Sequence, residues 1–223
     1  MKAYERLLKY VVVRTPSDDN SETVPTSSCQ FDLARLLEQE MKELGLSDVR
    51  LDDQCYLYGK LPATPGLEDK PAIGFIAHMD TVSDFCDHEI KPVLTENYDG
   101  KDLALGDSGL VLSPDNFGHL ESLAGRTLIT SDGTTILGAD DKAGIAEILT
   151  MVERLIQEDI PHGTICVAFT PDEEVGTGAS HFDVEAFGAD YAYTLDGDTE
   201  GEIQYENFNA CKARFDVKGF NVH

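Results

Sequence analysis

Residues 164–174 read TICVAFTPDEE, an apolar run that ends in acidic side chains. A short apolar run bounded by turn residues is typical of a strand buried on both faces. Two further runs have the same form: Ala72–Ala77 leads directly into His78, and Tyr191–Leu195 leads into Asp196. The sequence therefore predicts buried strands that are each followed by a side chain able to bind metal or carry a proton.

Helical patterns lie between the predicted strands. Apolar residues recur at helical spacing over Leu33–Leu44 and again over Ile145–Ile156, and the stretches are closed by Gly45 and Pro161. Strands that alternate with helices indicate an α/β fold. We expect a three-layer α/β/α sandwich around a mostly parallel mixed sheet.

Turn residues dominate between the first of these strands and the second helix. Glycine, asparagine and proline recur from Thr81 to Ser131, which indicates loops and short strands. Asp132-Gly133 then lies between Thr127–Thr130 and Thr134–Leu137, the pattern of a two-residue β-hairpin. We expect Asp140 to follow the second arm of that hairpin.

The composition argues against two classes of partner. The 223 residues are 41% hydrophobic, enough for a sizeable core, and they carry a formal net charge of -25. Nucleic acid and anionic membranes bind through clusters of lysine and arginine, so we expect neither as a partner. The five cysteines form no CxxC pair, and the amino terminus lacks the unbroken apolar core of a signal peptide. We expect a cytoplasmic protein with reduced thiols.

The side chains that follow the strands indicate a metal site. The carboxyl ends of parallel strands meet at one rim of a sheet, so His78, Glu173-Glu174 and Asp196 should converge, with Asp140 joining from its loop. Carboxylates gathered without counter-charge repel one another, which indicates bound cations or strongly raised pKa values. Mixed nitrogen and oxygen ligands suit zinc, and also cobalt or manganese. These few ligands predict that one carboxylate bridges two ions and leaves room for water, as in two-metal hydrolases.

Asp80 lies two residues after His78 and can turn back on the other imidazole nitrogen to hold the ligand tautomer. Taken alone, a His-x-Asp motif is more often a buried histidine beside an acid, and an acidic pair is more often a solvated surface. The metal hypothesis depends on the order of the motifs and on their matching positions at strand ends.

Four segments of the chain form a set: His78-Met79-Asp80, Gly138–Gly144, Asp172–Gly176 and Asp196. The set resembles the motifs of the M20-type zinc aminopeptidases and deacylases. Two longer stretches, Asn97–Leu105 and Pro161–Asp183, are similar to the tripeptide aminopeptidases of that family. The resemblance runs along nearly the whole chain and implies an aminopeptidase that hydrolyses small peptides.

The resemblance also implies a role for each site residue. Asp140 would bridge two zinc ions, His78 and Asp196 would bind one of them, and Glu174 would bind the other. Glu173 would be the general base that activates water and then protonates the departing amine. A cis peptide bond is expected between Asp140 and Asp141.

The resemblance further divides the chain into domains. Residues 1–206 would form an incomplete zinc-binding catalytic domain, and residues 207–223 would begin a lid domain that also dimerises. His223 matches a lid histidine that helps to stabilise the oxyanion, in some relatives across a homodimer. The remaining histidine ligand of the second zinc has no counterpart in a matching motif here. We therefore expect one well-bound ion, one weakly bound ion and poor activity for this polypeptide alone.

Two other functions stay open at this stage. The same metal residues would serve an M20-type deacylase or dipeptidase, because these residues do not read the substrate. A non-catalytic metal-binding module is the alternative from a different class. A Glu173→Gln variant would separate enzyme from binding module, because only an enzyme needs the base.

Overall fold

A computed structural model describes residues 1–197, 199–206, 211, 213 and 215–220 of the chain. The strands are β1 (Ser47–Leu51), β2 (Leu57–Leu61), β3 (Ile73–His78), β4 (Pro92–Thr95), β5 (Leu103–Ala104), β6 (Val111–Leu112), β7 (Leu128–Ser131), β8 (Ile165–Thr170) and β9 (Tyr191–Thr194). The helices are α1 (Ala3–Val11), α2 (Gln30–Leu44), α3 (Ala139–Gln157) and α4 (Val184–Phe187), with a 3-10 helix at Gly118–Leu123.

The main sheet has the strand order β1-β2-β8-β3-β9. β3 pairs in parallel with both β8 and β9, whereas β2 pairs antiparallel with β8 and with β1. The predicted α/β fold with a mixed sheet is confirmed. Its parallel share is smaller than expected, because β1 and β2 extend one edge as an antiparallel pair. The three predicted strands are the parallel ones.

The sheet is buried on both faces by different layers. Along β8 every residue is buried, and Val167 and Phe169 pack with α2 and α3 while Cys166 and Ala168 face the other way. The second face is covered by an aromatic cluster that includes Phe187 of α4. This alternation explains the uninterrupted apolar pattern, since both faces of a central strand exclude water.

The predicted apolar helix stripes form the helical side of the core. On α2, Leu33 and Leu37 are fully buried, and Gly45 ends the helix in the left-handed conformation with φ 89°. On α3, Ile145 and Ile148 are fully buried. Each such side chain contributes roughly 1.5–3 kcal/mol when it is removed from water, so these stripes anchor the helices on the sheet.

The predicted hairpin around Asp132-Gly133 is wrong. Its first arm lies in β7, but β7 pairs antiparallel with β4 rather than with residues 134–137. Asp132 instead accepts the backbone N–H of Thr134 at 2.9 Å, and Ile136 donates its N–H to Phe85 at 3.1 Å. The second arm is thereby diverted towards the start of α3. No described helix has both the length and the apolar character needed to cross a membrane.

Candidate metal centre

The carboxyl ends of the parallel strands meet, as predicted, at one rim of the sheet. His78 is the last residue of β3 and is in register with Thr170, the last residue of β8. Glu173 and Glu174 follow within a tight turn, and Asp196 lies just after β9. The rim therefore collects donors from distant parts of the chain because parallel pairing aligns the strand ends.

His78 lies at the centre of a polar cluster, with its side chain only 2% exposed. Nδ1 of the ring lies 3.0 Å from the backbone oxygen of Asp80 and 3.4 Å from its Oδ1. Nε2 lies 2.9 Å from Asp140 Oδ1, and 3.9 Å from both Glu173 Oε2 and Asp196 Oδ2. Nε2 thus faces the acidic side chains, while Nδ1 faces the oxygens that orient the ring.

Two sets of three donor atoms could each hold a metal ion, with all atoms of a set within 4.8 Å of one another. One set is His78, Glu173 and Asp196, and the other is His78, Asp140 and Glu174. The structure therefore brings together all the residues predicted to bind metal, and adds the predicted base to one set. A neutral imidazole has a single free lone pair, so His78 can bind only one ion. Neither set of described residues contains a second histidine.

Asp80 does more than the predicted contact with the imidazole. Its side chain is fully buried, and its carboxylate accepts the backbone N–H of Glu173 at 2.9 Å and that of Glu174 at 3.1 Å. The residue that supports the His78 ring therefore also holds the turn that presents the glutamate pair. Sequence reasoning missed this second contact, because nothing local in a His-x-Asp motif indicates it.

Asp141 is a second buried acid that sequence reasoning left without a role. It is 3% exposed and its carboxylate accepts the backbone N–H groups of His78 and Gly144, each at 3.2 Å. Burial raises its pKa to about 8, against the opposing charge of His78. The peptide bond between Asp140 and Asp141 is cis, as the resemblance implied. The regular part of α3 begins only after this pair, whose backbone angles are not helical.

The electrostatics of the cluster favour added positive charge. Burial raises the pKa of Glu174 and of Asp196, and the nearby Asp140 raises both further. Burial lowers the pKa of His78, but the hydrogen bond and charge of Asp80, with other nearby acids, outweigh it and raise that pKa to about 10. One imidazole nitrogen among carboxylate oxygens is a donor set that suits zinc, cobalt or manganese. The residues present therefore fit a divalent cation, which would compete with a proton for Nε2.

A cleft adjoins the cluster. A cavity of about 240 Å³ is bounded by Thr81, Val82 and Ile136 and reaches Asp140 and Glu174. It offers apolar walls beside the donor atoms, which is the character of small-molecule sites. A larger cavity of about 370 Å³, bordered by Arg50 and Tyr58, contains none of the site residues.

The other histidines in the described part of the chain belong to neither donor set. His88 contacts the neighbouring Asp87 at 2.6 Å, His119 packs against Phe117, and His162 contacts the backbone oxygen of Gly163. His223, the predicted oxyanion histidine, lies outside the described residues, as does most of the predicted lid segment 207–223. The lid boundary and the role of His223 stay predictions.

An α/β sandwich whose strand ends gather an imidazole and several carboxylates is typical of metal-dependent hydrolases. Relatives of this chain are named as peptidases. It is 58% identical over 221 residues to Peptidase T of Desulfitobacterium hafniense, and 53% identical over 222 residues to Peptidase T of Alkaliphilus oremlandii. These alignments cover 98% of this chain in both cases, but 53% and 54% of those proteins, so the chain spans about half their length.

Solved structures and a family model agree with these relatives. Aminopeptidase PepT from Bacillus cereus matches with TM-score 0.62 and 30% identity, over 89% of this chain and 43% of that protein. A tripeptidase from Staphylococcus aureus matches with TM-score 0.61 and 28% identity, over the same shares. The model of the M42 glutamyl aminopeptidases matches residues 116–210, less than half of the chain. The resemblance to the M20-type peptidases, and to peptidase T in particular, is confirmed.

Proposed function

We propose that this chain carries the metal-binding centre of a zinc-dependent aminopeptidase that releases the N-terminal residue from tripeptides. The observation that carries the proposal is the convergence of His78, Asp140, Glu173, Glu174 and Asp196 on one cluster beside a cleft. The substrate class rests on relatives named peptidase T and tripeptidase. The donor atoms are those of this chain, whereas the reaction is inferred from the relatives.

The residues that would hold two zinc ions at the centre are His78 and Asp196 for the first ion, Glu174 for the second, and Asp140 for both. Bound zinc would act as a Lewis acid and lower the pKa of water in the site to about 7. The first ion should bind more tightly, because it alone receives an imidazole from the described residues. The weaker second site makes poor activity the expectation for these residues acting alone.

Glu173 is proposed as the general base. Its side chain is 52% exposed, so water can reach it, and its Oε2 lies 3.9 Å from His78 Nε2, close to the donor cluster. The carboxylate would accept a proton from the attacking water and deliver it to the departing amine. Asp80 would keep the carboxylate in place through the Glu173 backbone N–H.

The Glu173→Gln variant tests this assignment. Loss of general-base catalysis should lower kcat by about 10²- to 10⁴-fold, while zinc affinity measured by calorimetry stays close to that of the parent. A parallel fall in zinc affinity would instead make Glu173 a ligand, as its place in the first donor set permits. Full hydrolysis by the variant would contradict the proposed base.

A dipeptidase is a second candidate, because the aminoacylhistidine dipeptidase of Vibrio alginolyticus matches with TM-score 0.59 and 26% identity over 89% of this chain. Parallel assays on tripeptides, dipeptides and N-acyl amino acids separate the enzyme classes. Metal binding without hydrolysis of any of them would favour a binding module. A homodimer, inferred from the resemblance, is a further proposal that sedimentation analysis can test.

A further inference from the structure

Residues 13–30 run from just after α1 to the first residue of α2, and they contact three of the four segments that carry the candidate centre. We call this segment the N-terminal brace. It contributes no donor atom to either metal set found among the described residues. Several of its hydrogen bonds to other parts of the chain are nevertheless with residues one to three positions from a donor.

The first contact is with the loop after His78. The Thr15 hydroxyl donates to the backbone oxygen of Met79 at 2.7 Å, and Thr15 accepts the backbone N–H of Thr81 at 3.0 Å. Ser17 then donates its backbone N–H to Thr81 at 2.9 Å. These bonds lie on both sides of Asp80, and Thr15 is fully buried. The brace therefore fixes the backbone that presents Asp80 to His78.

The second contact is with the loop that carries Asp140. Lys142 is fully buried, and its Nζ donates to the backbone oxygen of Val13 at 2.7 Å. Burying an ammonium group is costly unless it is hydrogen-bonded. The Val13 contact thus ties the start of α3 to the brace, two residues after Asp140.

The third contact holds the turn that carries the glutamate pair. Asp172 is 1% exposed, and its carboxylate accepts the backbone N–H of Thr26 at 3.0 and 2.9 Å and the side-chain amide of Gln30 at 2.7 Å. The Thr26 hydroxyl also donates to Asp172, and the Gln30 side-chain oxygen accepts the Asp172 backbone N–H at 3.3 Å. Gln30 begins α2, whose Leu33 and Leu37 are fixed in the core.

We infer that the N-terminal brace positions the metal centre, and that Asp172 is its positioning residue for the glutamate pair. Asp172 directly precedes Glu173, so the turn is held between two buried carboxylates, Asp80 on one side and Asp172 on the other. Because one segment binds three of the four loops that carry donors, it constrains the distances between donors on those three loops. This inference rests on the proposed function, since it assigns the brace to the same centre.

The test is a reciprocal swap in the protein that carries this sequence. Asp172→Asn places an amide where three donors point, the N–H and hydroxyl of Thr26 and the side-chain amide of Gln30. The Asp172→Asn/Gln30→Glu pair restores a carboxylate opposite an amide, with the two roles exchanged. Asp172→Asn should weaken Co²⁺ binding about tenfold, alter the cobalt visible spectrum and lower kcat at least about tenfold with KM nearly unchanged. The pair should return all three to within about threefold of the parent.

Asp132→Asn is the matched control, because Asp132 also accepts the N–H and the hydroxyl of one threonine, Thr134, at 2.9 and 2.6 Å. It should leave cobalt binding and kcat unchanged. A folded Asp172→Asn protein that matches the parent in cobalt affinity overturns the inference, and so does a swap that recovers nothing. If Asp172→Asn does not fold, Thr26→Val decides: cobalt affinity about threefold weaker supports the brace, and unchanged affinity refutes it.

Failure of the proposed function has a different signature. A parent protein that binds cobalt yet cleaves no peptide refutes the aminopeptidase proposal, while the cobalt affinities of the variants still test positioning. A parent that binds no cobalt overturns both proposals.

Discussion

Replacing Asp80 by asparagine tests how strongly this buried carboxylate stabilises the turn that carries Glu173 and Glu174. The Asp80 carboxylate is fully buried and accepts two backbone N–H groups, from Glu173 at 2.9 Å and Glu174 at 3.1 Å. A hydrogen bond to a charged acceptor contributes about 1.5–3 kcal/mol. Asparagine keeps one acceptor, but its NH₂ group must face the second N–H. The free energy of unfolding of the metal-free protein should therefore fall by about 2–4 kcal/mol.

Urea unfolding followed by circular dichroism at pH 7 measures this change. With a slope of about 2–3 kcal/mol per molar urea, the midpoint should fall by about 1 M. The control is Asp190→Asn, because Asp190 is exposed and accepts a backbone N–H, that of Ala72, at 2.7 Å. That variant should change the free energy by less than about 0.5 kcal/mol. Equal midpoints for the two variants would show that the buried hydrogen bonds of Asp80 add no more stability than the exposed one of Asp190.

Two further predictions concern the same cluster. The pKa of His78 in the folded protein, about 10, lies above its ordinary value of 6.5. The stability that protonated His78 adds to the fold is therefore fully present below pH 6.5 and is lost as the pH rises through 10. The stability difference between metal-free parent and His78→Gln should therefore shrink by up to about 5 kcal/mol over that window, and a difference independent of pH would contradict it. Gly144→Ala, usually favourable inside a helix, should destabilise by about 1–3 kcal/mol, because the new Cβ would lie 2.1 Å from the Leu195 oxygen. Thermal melting checks this, and a raised midpoint would refute it.

The parallel strands and the two long helices could be predicted because their apolar periodicity is strong. The short apolar run Thr164–Thr170 matches a central strand, and the apolar residues spaced along Ile145–Ile156 match a helix whose inner face carries the buried Ile145, Ile148 and Val152. The meeting of His78 and Asp196 followed from one geometric rule, that parallel strands end at a common rim. The convergence of these side chains could therefore be predicted from the positions at which the strands end.

The rest depended on contacts that leave no local pattern. β1 and β2 are short, and β2 includes both Gly59 and Lys60, so their pairing could not be anticipated. The residues after Gly133 have a strand-like composition. However, a hydrogen bond from the Ile136 N–H to the backbone oxygen of Phe85 draws them away from β7. Asp172 reaches Thr26 across 146 positions of sequence, a distance at which side-chain type alone predicts no partner. The role of Asp172 and the second contact of Asp80 were missed for this reason, whereas the convergence of the acidic residues on His78 was predicted.

The most direct test of the proposed metal centre is a crystal structure of the protein soaked in zinc, with data collected at the zinc absorption edge. We predict an anomalous peak about 2.0–2.1 Å from His78 Nε2, with Asp196 and Asp140 oxygens in the same coordination sphere. A well-diffracting crystal with no peak at His78, or with the Asp140 and Asp196 side chains turned into separate regions of solvent, would contradict it.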